Sequence, residues 1–486
     1  MNGMKNWRGL VREHSAVSLL LLCFGGLYSF TLDAYGMFLW DEAEYASLGR
    51  SLLRGEGFSI SERPNALRPP LLPLSAAASM LLFDRSDDII VRLPSLFFSL
   101  LALLVVYQCV KMEFDRPTGL VAAALLGLFP SFWRATPFLL TEIPFMAFFT
   151  GAVLYFYFGL YRQRRYFFWS WLCWGLAFLT RYTALLFGPI VVLFLVPALC
   201  IRDQEVRRRI WSTDFFLSPL AGLGIMLPWF IRQYLTFGDA LIGIKQSATQ
   251  LQSYMPDLSM PWYFYCMRLP TMLSPSLIAF LLLGIAWAVW KRERFTFHCL
   301  IVCIAIVVWF SCYRYKELRL VTSILPFMAV PTAVGVMKPI FPTHLTWRSA
   351  VALTLLLSSI FIANFSLTRP TFQRTVLGYP LFLEAMQFLH EQTAPDAVIV
   401  GANFPQIYWY ADRRAINFPD EQALRKILEQ SEWIVIINFE PAQKDYVYEL
   451  AKKVTFADAQ AGNVAYFRDS RFVTLLIRSS LLRKRL

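Results

Sequence analysis

"RQRRYFFWSWLCWGLAFLTRYTALLFGPIVVLFLVPALCIRDQEVRRR", residues 162–209, is a pair of apolar runs with basic clusters at both ends and Arg181 between them. One bilayer crossing needs about 20 apolar residues. Residues 166–201 are too long for one crossing and only just long enough for two. The charges decide. A basic residue at the bilayer centre costs roughly 2.5–3.5 kcal/mol on insertion scales, so Arg181 belongs in a turn. Two crossings then return Arg207, Arg208 and Arg209 to the side that holds Arg162, Arg164 and Arg165. One crossing would separate the clusters and invert everything downstream.

Working outward, apolar runs recur at 15–37, 90–110, 118–134, 142–161, 166–180, 183–201, 214–235, 273–290, 296–312, 320–337 and 349–367, about eleven spans. With Lys5, Arg8 and Arg12 inside, the inside loops are 111–117 (Lys111, Arg116), 162–165, 202–213 (Arg202 and Arg207 to Arg209), 291–295 (Lys291, Arg292, Arg294) and 338–348 (Lys338, Arg348). All are basic, as cytoplasmic loops are. The N-terminal run reads as an uncleaved first span. Mean hydropathy is +0.48, and charged residues are 16% against about 25% in soluble domains. The net charge of +13 falls in these short loops, which argues against nucleic acid. The eight cysteines lie almost wholly in apolar runs without ligand spacing, and the four histidines are scattered. Neither a metal centre of those residues nor a disulfide framework is implied.

The opposite face receives 38–89, 135–141, the Arg181 turn, 236–272, 313–319 and everything after 367. Asp41, Glu42, Glu44, Glu142 and Glu317 fall there, with Arg68, Arg134, Arg181, Arg232, Arg268, Arg314, Lys316 and Arg319. In the first loop, Tyr45, Leu48 and Leu52 make one apolar helical face, so 40–53 reads as a helix lying on the membrane surface. Residues 71–83 are apolar but too short to span, which predicts a second interfacial helix. After residue 380 the apolar strand-like runs 397–403, 432–439 and 463–467 alternate with helical patterns at 381–392, 421–430 and 442–453, a small α/β domain. The expected fold is mainly α: a polytopic membrane domain over 1–370 with its first external loop at 38–89, an external α/β domain over 371–470, and a basic tail, 471–486, within reach of lipid headgroups.

A carboxylate within hydrogen-bond reach of a hydroxyl can act as general base. Arginine binds phosphate through a planar fork. Both at one membrane boundary suit a lipid-linked sugar, with its tail in the bilayer and its phosphate at the surface. Plain alternatives stand beside this reading. Asp41 could cap a helix, Glu142 could complement a helix dipole, and Arg68 could snorkel. Arg232, Lys316 and Arg319 could be interface anchors. Glu44 reads as structural and Glu317 as an ion-pair partner.

The motifs "WDEAEYASLGRSLL" (40–53), "LRPPLLP" (67–73), "TEIPFMAFF" (141–149), "LTRYTALLFGP" (179–189), "PWFIRQYLTFGD" (228–239) and "YKELRLVTSILPF" (315–327) resemble, in order, those of the membrane-embedded C-type glycosyltransferases. The branch is that of the dolichyl-phosphate-mannose protein mannosyltransferases and the bacterial aminoarabinose-to-lipid A transferases, and the resemblance covers roughly 17–370. It implies transfer from a polyprenyl-phosphate-linked sugar to a lipid, glycan or protein hydroxyl, outside a bacterial inner membrane and with the N-terminus cytoplasmic. It makes Asp41 the catalytic carboxylate of an inverting displacement and Glu142 the second acid. Glu42, Arg68, Arg181, Arg232, Lys316 and Arg319 become substrate-binding candidates. A divalent cation, Mn²⁺ or Mg²⁺, is left open at Asp41 and Glu142. The rivals are a glycan ligase or polymerase using lipid pyrophosphate donors, and a lipid or solute transporter. A transporter places charges at mid-bilayer on two related halves; here the span centres carry almost none and no duplication is visible.

Overall fold

The computed structural model describes residues 2–32, 36–37, 39–200, 203–253, 259–340, 347–374, 379–438, 445–468 and 472–485. The side chains of Lys5, Arg8, Arg12, Arg202 and Arg348 lie outside the described set. Two compact units form. A helical unit holds Met1–Leu32, Ala66–Leu72 and Arg92–Arg369; a loop–sheet unit holds Asp33–Asn65, Pro73–Val91 and Pro370–Leu486. The first loop therefore groups with the C-terminal domain, whereas the sequence reading attached it to the spans.

Among the described residues six helices are long and apolar enough to cross a membrane: Asp88–Glu113, Glu142–Tyr161, Tyr182–Cys200, Gln204–Phe237, Arg294–Ser311 and Leu318–Pro339. Phe264–Leu273 and Pro275–Lys291 are together apolar enough for a seventh, but are bent by 106° at the break between them, as in a broken span or a re-entrant loop. The other expected positions are also helical but shorter in apolar length, at Ser15–Ser29, Arg116–Leu128, Val351–Asn364 and Tyr166–Phe178. Prolines explain two of the interruptions. A residue before proline is pushed out of the helical region. Phe129, before Pro130, is extended at φ −62° and ψ 128°. Ser274, before Pro275, has ψ 135°, outside the helical region, and the chain bends there.

Contacts sort the loops of the helical unit into two ends. Arg162 pairs with Glu113 at 3.0 Å, Arg164 with Asp214 at 2.9 Å and Lys338 with Asp115 at 2.6 Å. Arg209 donates to Leu160 O at 3.1 Å, and the ring of Phe295 lies 6.0 Å from that of Phe114. Loops 111–117, 162–165, 203–213 and 291–295, with Lys338, thus share one end. Arg181 instead pairs with Glu142, at the far end of a 20-residue helix about 30 Å long. Between Arg165 and Arg207 the chain goes out and back.

Close helix approach holds this unit together. Gly284 and Gly335 face each other between Pro275–Lys291 and Leu325–Ile340, and a Cβ on either would strike the other helix's backbone. Small residues permit such contact in membranes, where burial between helices supplies little net drive.

The loop–sheet unit is built on a five-stranded sheet ordered β4–β3–β5–β7–β6. Its strands are β3 (Val398–Gly401), β4 (Arg414–Ile416), β5 (Trp433–Ile437), β6 (Val464–Arg468) and β7 (Val473–Arg478); a first-loop hairpin supplies β1 (Ser59–Ile60) and β2 (Arg63–Pro64). β3 is parallel to β4 and β5, while β7 is antiparallel to β5 and β6. Val400, Ile434, Ile436, Leu475 and Ile477 form its core with Leu424, Leu428, Val447 and Leu450 from the covering helices. Residues 442–444 of the expected third helix lie outside the described set; Asp445–Lys452 is helical.

Two expectations are corrected here. The stretch read as a basic tail contains β7, the strand between β5 and β6, followed by a helix, Ser479–Arg485, whose Arg485 binds Asp458 at 2.6 Å. Arginines around a short, mostly apolar run hid this six-residue strand. The helix Trp40–Leu53 is buried at every position from Glu42 to Ser51, so it is no surface helix with one wet face. The helix Phe404–Ala411 packs along it. The second expected interfacial helix is present as Leu71–Phe83.

Gly284→Leu should unseat the helix pair, lowering stability by roughly 1–3 kcal/mol as overpacking does, with a matching fall of Tm in detergent. An equivalent Leu at exposed Gly188, where a Cβ meets nothing, should leave Tm unchanged.

Candidate active site

Glu142 opens its helix with its side chain only 4% exposed, and Oε1 accepts from Arg181 Nη1 at 3.1 Å. Its Oε2 is buried with no hydrogen-bond partner among the described residues. Arg181 sits in an extended turn after the Tyr166–Phe178 helix, with its guanidinium 5.9 Å from the ring centroid of Phe145. Phe145 lies one turn below Glu142 on the same helix, so one helix holds both faces of this arginine.

Arg68 lies in Ala66–Leu72, which the helical unit pins at both ends. Gln233 Nε2 donates to Ala66 O at 2.9 Å, Tyr182 Oη to the same carbonyl at 3.4 Å, and Leu71 N–H to Leu179 O at 2.9 Å. Trp229 Nε1 donates to Tyr182 Oη at 3.2 Å. Arg232 Nη1 donates to Gln233 Oε1 at 3.2 Å and lies 5.2 Å from the ring centroids of Trp229 and Phe237. One connected network therefore ties Arg232 to the backbone beside Arg68, and Tyr182 in that network follows Arg181 directly. Tyr182, Trp229 and Gln233 were not among the expected site residues. Gln233 is 1% exposed, and a buried amide within an apolar run was a readable signal.

Lys316 and Arg319 stand differently. Lys316 Nζ donates to Met260 O at 2.9 Å and Tyr313 O at 2.5 Å; burial lowers its ammonium pKa. Arg319 Nε donates to Glu317 Oε2 at 2.7 Å, the ion pair expected for Glu317.

The loop–sheet unit carries Asp41 and Glu42, both in the first turn of Trp40–Leu53. Asp41 is half-buried and Glu42 fully buried. Glu44 accepts from Asn65 Nδ2 at 2.8 Å, the structural role expected of it. Farther along, Arg50 is 8% exposed. Burial pushes its pKa down to about 10, with Asp412 beside it opposing the fall. Among the described residues no group of three or more His, Cys, Asp or Glu side chains is placed to hold a metal ion.

Residues 67–237 match the family model described as dolichyl-phosphate-mannose-protein mannosyltransferase. In fold the chain is similar to ArnT from Cupriavidus metallidurans bound to undecaprenyl phosphate, with a TM-score of 0.71 at 15% identity, covering 96% of this chain and 98% of that one. The apo state of the same protein gives a TM-score of 0.68 at 17% identity, covering 98% and 99%. The oligosaccharyltransferase from Archaeoglobus fulgidus, in complex with Zn and sulfate, gives 0.59 at 14% identity, covering 86% of this chain and 67% of that one. No curated protein matches in sequence. The match to a mannosyltransferase family model thus spans residues 67–237, and the fold is like that of ArnT.

Removing one partner of a buried ion pair strands the other charge, at about 3–5 kcal/mol. Stranding Glu142, at 4% exposure, costs more than stranding Arg181, at 17%, so Arg181→Met should lower Tm further than Glu142→Gln, and the double change Arg181→Met with Glu142→Gln should recover part of the loss. Additive losses in a double-mutant cycle would deny the coupling.

Proposed function

We propose that this protein transfers a sugar from a polyprenyl-phosphate donor to an acceptor hydroxyl on the outer face of a bacterial inner membrane. In this reading about eleven crossings leave the N-terminus in the cytoplasm, and the loop–sheet unit is external. The acceptor oxygen attacks the anomeric carbon from the face opposite the phosphate, and its proton passes to the Asp41 carboxylate. The bond from that carbon to the phosphate oxygen breaks, and the electron pair departs with the phosphate, inverting the anomeric centre. Departing charge needs fixed cations where it develops. Arg68, Arg181 and Arg232 supply them. Lys316 and Arg319 order the loop around Met260 and Glu317, and Glu42, at 0% exposure, lies out of the substrate's reach.

The observation that carries the reading is the buried, unspent oxygen of Glu142 beside Arg181. A desolvated acceptor atom without a donor is costly, and a sugar hydroxyl is a donor of the right kind. It lies in the segment that matches the mannosyltransferase family model. The fold likeness to a protein that binds undecaprenyl phosphate supports the donor class.

The test is release of undecaprenyl phosphate from a panel of undecaprenyl-phosphate-linked hexoses and aminopentoses, with and without EDTA, using the purified full chain. Asp41→Asn keeps the shape and removes the base, which contributes about 10²–10⁴-fold. Turnover should fall by that order with Tm unchanged, whereas wild-type turnover by this variant would refute the role of Asp41.

A further inference from the structure

The helix Phe404–Ala411 joins β3 to β4, and Tyr408, Trp409, Tyr410, Asp412 and Arg414 spend their side-chain polar groups on the first loop. Tyr408 Oη donates to Glu56 at 2.7 Å. Trp409 Nε1 donates to Asp88 Oδ1 at 2.9 Å and Tyr410 Oη to Asp88 Oδ2 at 2.6 Å. Asp412 takes both forks of Arg54 at 2.7 and 3.0 Å, and Arg414 pairs with Glu62 at 2.8 Å. Tyr408 bonds Glu56 while Trp409 and Tyr410 share the two oxygens of Asp88, so the loop passes this helix twice, at Glu56 and again at Asp88.

The wrapped helix holds the helix that bears Asp41, at both ends. At its start the rings of Trp40 and Phe404 meet edge to face at 5.0 Å, and Met37 N–H donates to Tyr410 Oη. In the middle Ser47 Oγ donates to Pro405 O at 3.3 Å. Toward its end Arg50 donates to Trp409 O at 2.8 Å and to Tyr408 O, and Ser51 and Tyr408 share a hydroxyl contact at 3.0 Å. Gly49 admits the Leu71–Phe83 helix on another side; a Cβ there would lie 2.8 Å from Pro73 O. A 14-residue helix fastened at points more than two turns apart cannot roll or slide without breaking several bonds at once.

Arg50 is the centre of this clasp. Its guanidinium is buried and its nearest carboxylate, Asp412, stands 3.6 Å away. The bonds it makes go to last-turn carbonyls of the Phe404–Ala411 helix, and its charge meets the negative end of that helix's dipole. Tyr408 and Trp409 lie 5.0 and 4.6 Å from it as cation–π partners. A lysine has no fork to bridge two carbonyls.

We propose that Arg50 and the run 408–412 form a positioning device, through which the sheet domain fixes the first-loop helix and hence the place of Asp41. The C-terminal domain is then part of the catalytic apparatus. The inference rests on the reading of Asp41 as base. A general base must be held to within a fraction of an ångström of its proton, and misplacement by about 1 Å costs on the order of a hundredfold.

The test compares Arg50→Lys and the milder pair Trp409→Phe with Tyr410→Phe, in the full chain, by amide hydrogen exchange and by turnover. Exchange over residues 40–53 should quicken while β3 and β5 keep their rates. kcat should fall by about ten- to a hundredfold with donor KM little changed, as expected for lost alignment rather than lost binding. Unchanged exchange over 40–53 overturns the clasp. Quickened exchange with unchanged kcat overturns its catalytic role. Wild-type turnover by Asp41→Asn removes the base reading alone and leaves the exchange result standing.

Discussion

A half-buried arginine and a glutamate nearly out of reach of solvent, 3.1 Å apart, set the terms for the helical unit. Neither charge is tolerable alone in that setting. Their pairing requires that the turn after Tyr166–Phe178 and the first residue of Glu142–Tyr161 stand at the same end of the bundle. The chain between Arg165 and Arg207 must then go out and back. Every basic loop whose contacts are described falls at the opposite end. Sorting charge to the ends is the cheapest solution for a chain whose middle lies in hydrocarbon, and it leaves both ends electrostatically distinct.

At the Glu142 end the bonds are arranged for something besides stability. Glu142 commits one oxygen and withholds the other. Gln233 and Tyr182 are used to seat the backbone at Ala66, the approach to Arg68. A bundle needing only to pack would replace this amide and this hydroxyl with aliphatic side chains. Lys316, by contrast, is turned onto two carbonyls and reads as a loop fastener.

Much of this was legible in the sequence because it is governed by cost per residue. The Arg181 turn, the basic loops, the helix beginning at Glu142 and the Glu317–Arg319 pair all follow from where charge can sit. Interruptions at Phe129 and Ser274 were written in the prolines after them, and were missed by counting apolar length alone. What stayed hidden depends on partners distant in sequence. Nothing local in "EAEYASLGRS" says that all its faces are buried; that comes from "FPQIYWYAD" more than 350 residues later. β7 was concealed by arginines at both ends of a short apolar run. Gln233, Tyr182 and Trp229 matter through the carbonyl of Ala66, and no periodicity encodes a carbonyl's acceptor.

The first loop and the C-terminal sheet fold as one unit, so the acid at position 41 is held by residues that any reading of the spans alone leaves out. The central claim is that this unit, Asp41 with it, faces the compartment opposite the basic loops. Thiol labelling of intact spheroplasts decides it, on a cysteine-free background with Arg63→Cys in the first loop or Arg208→Cys in a basic loop. The account predicts that an impermeant maleimide reaches position 63 at once and position 208 only after permeabilisation. Labelling of position 208 first, with position 63 protected, would contradict it.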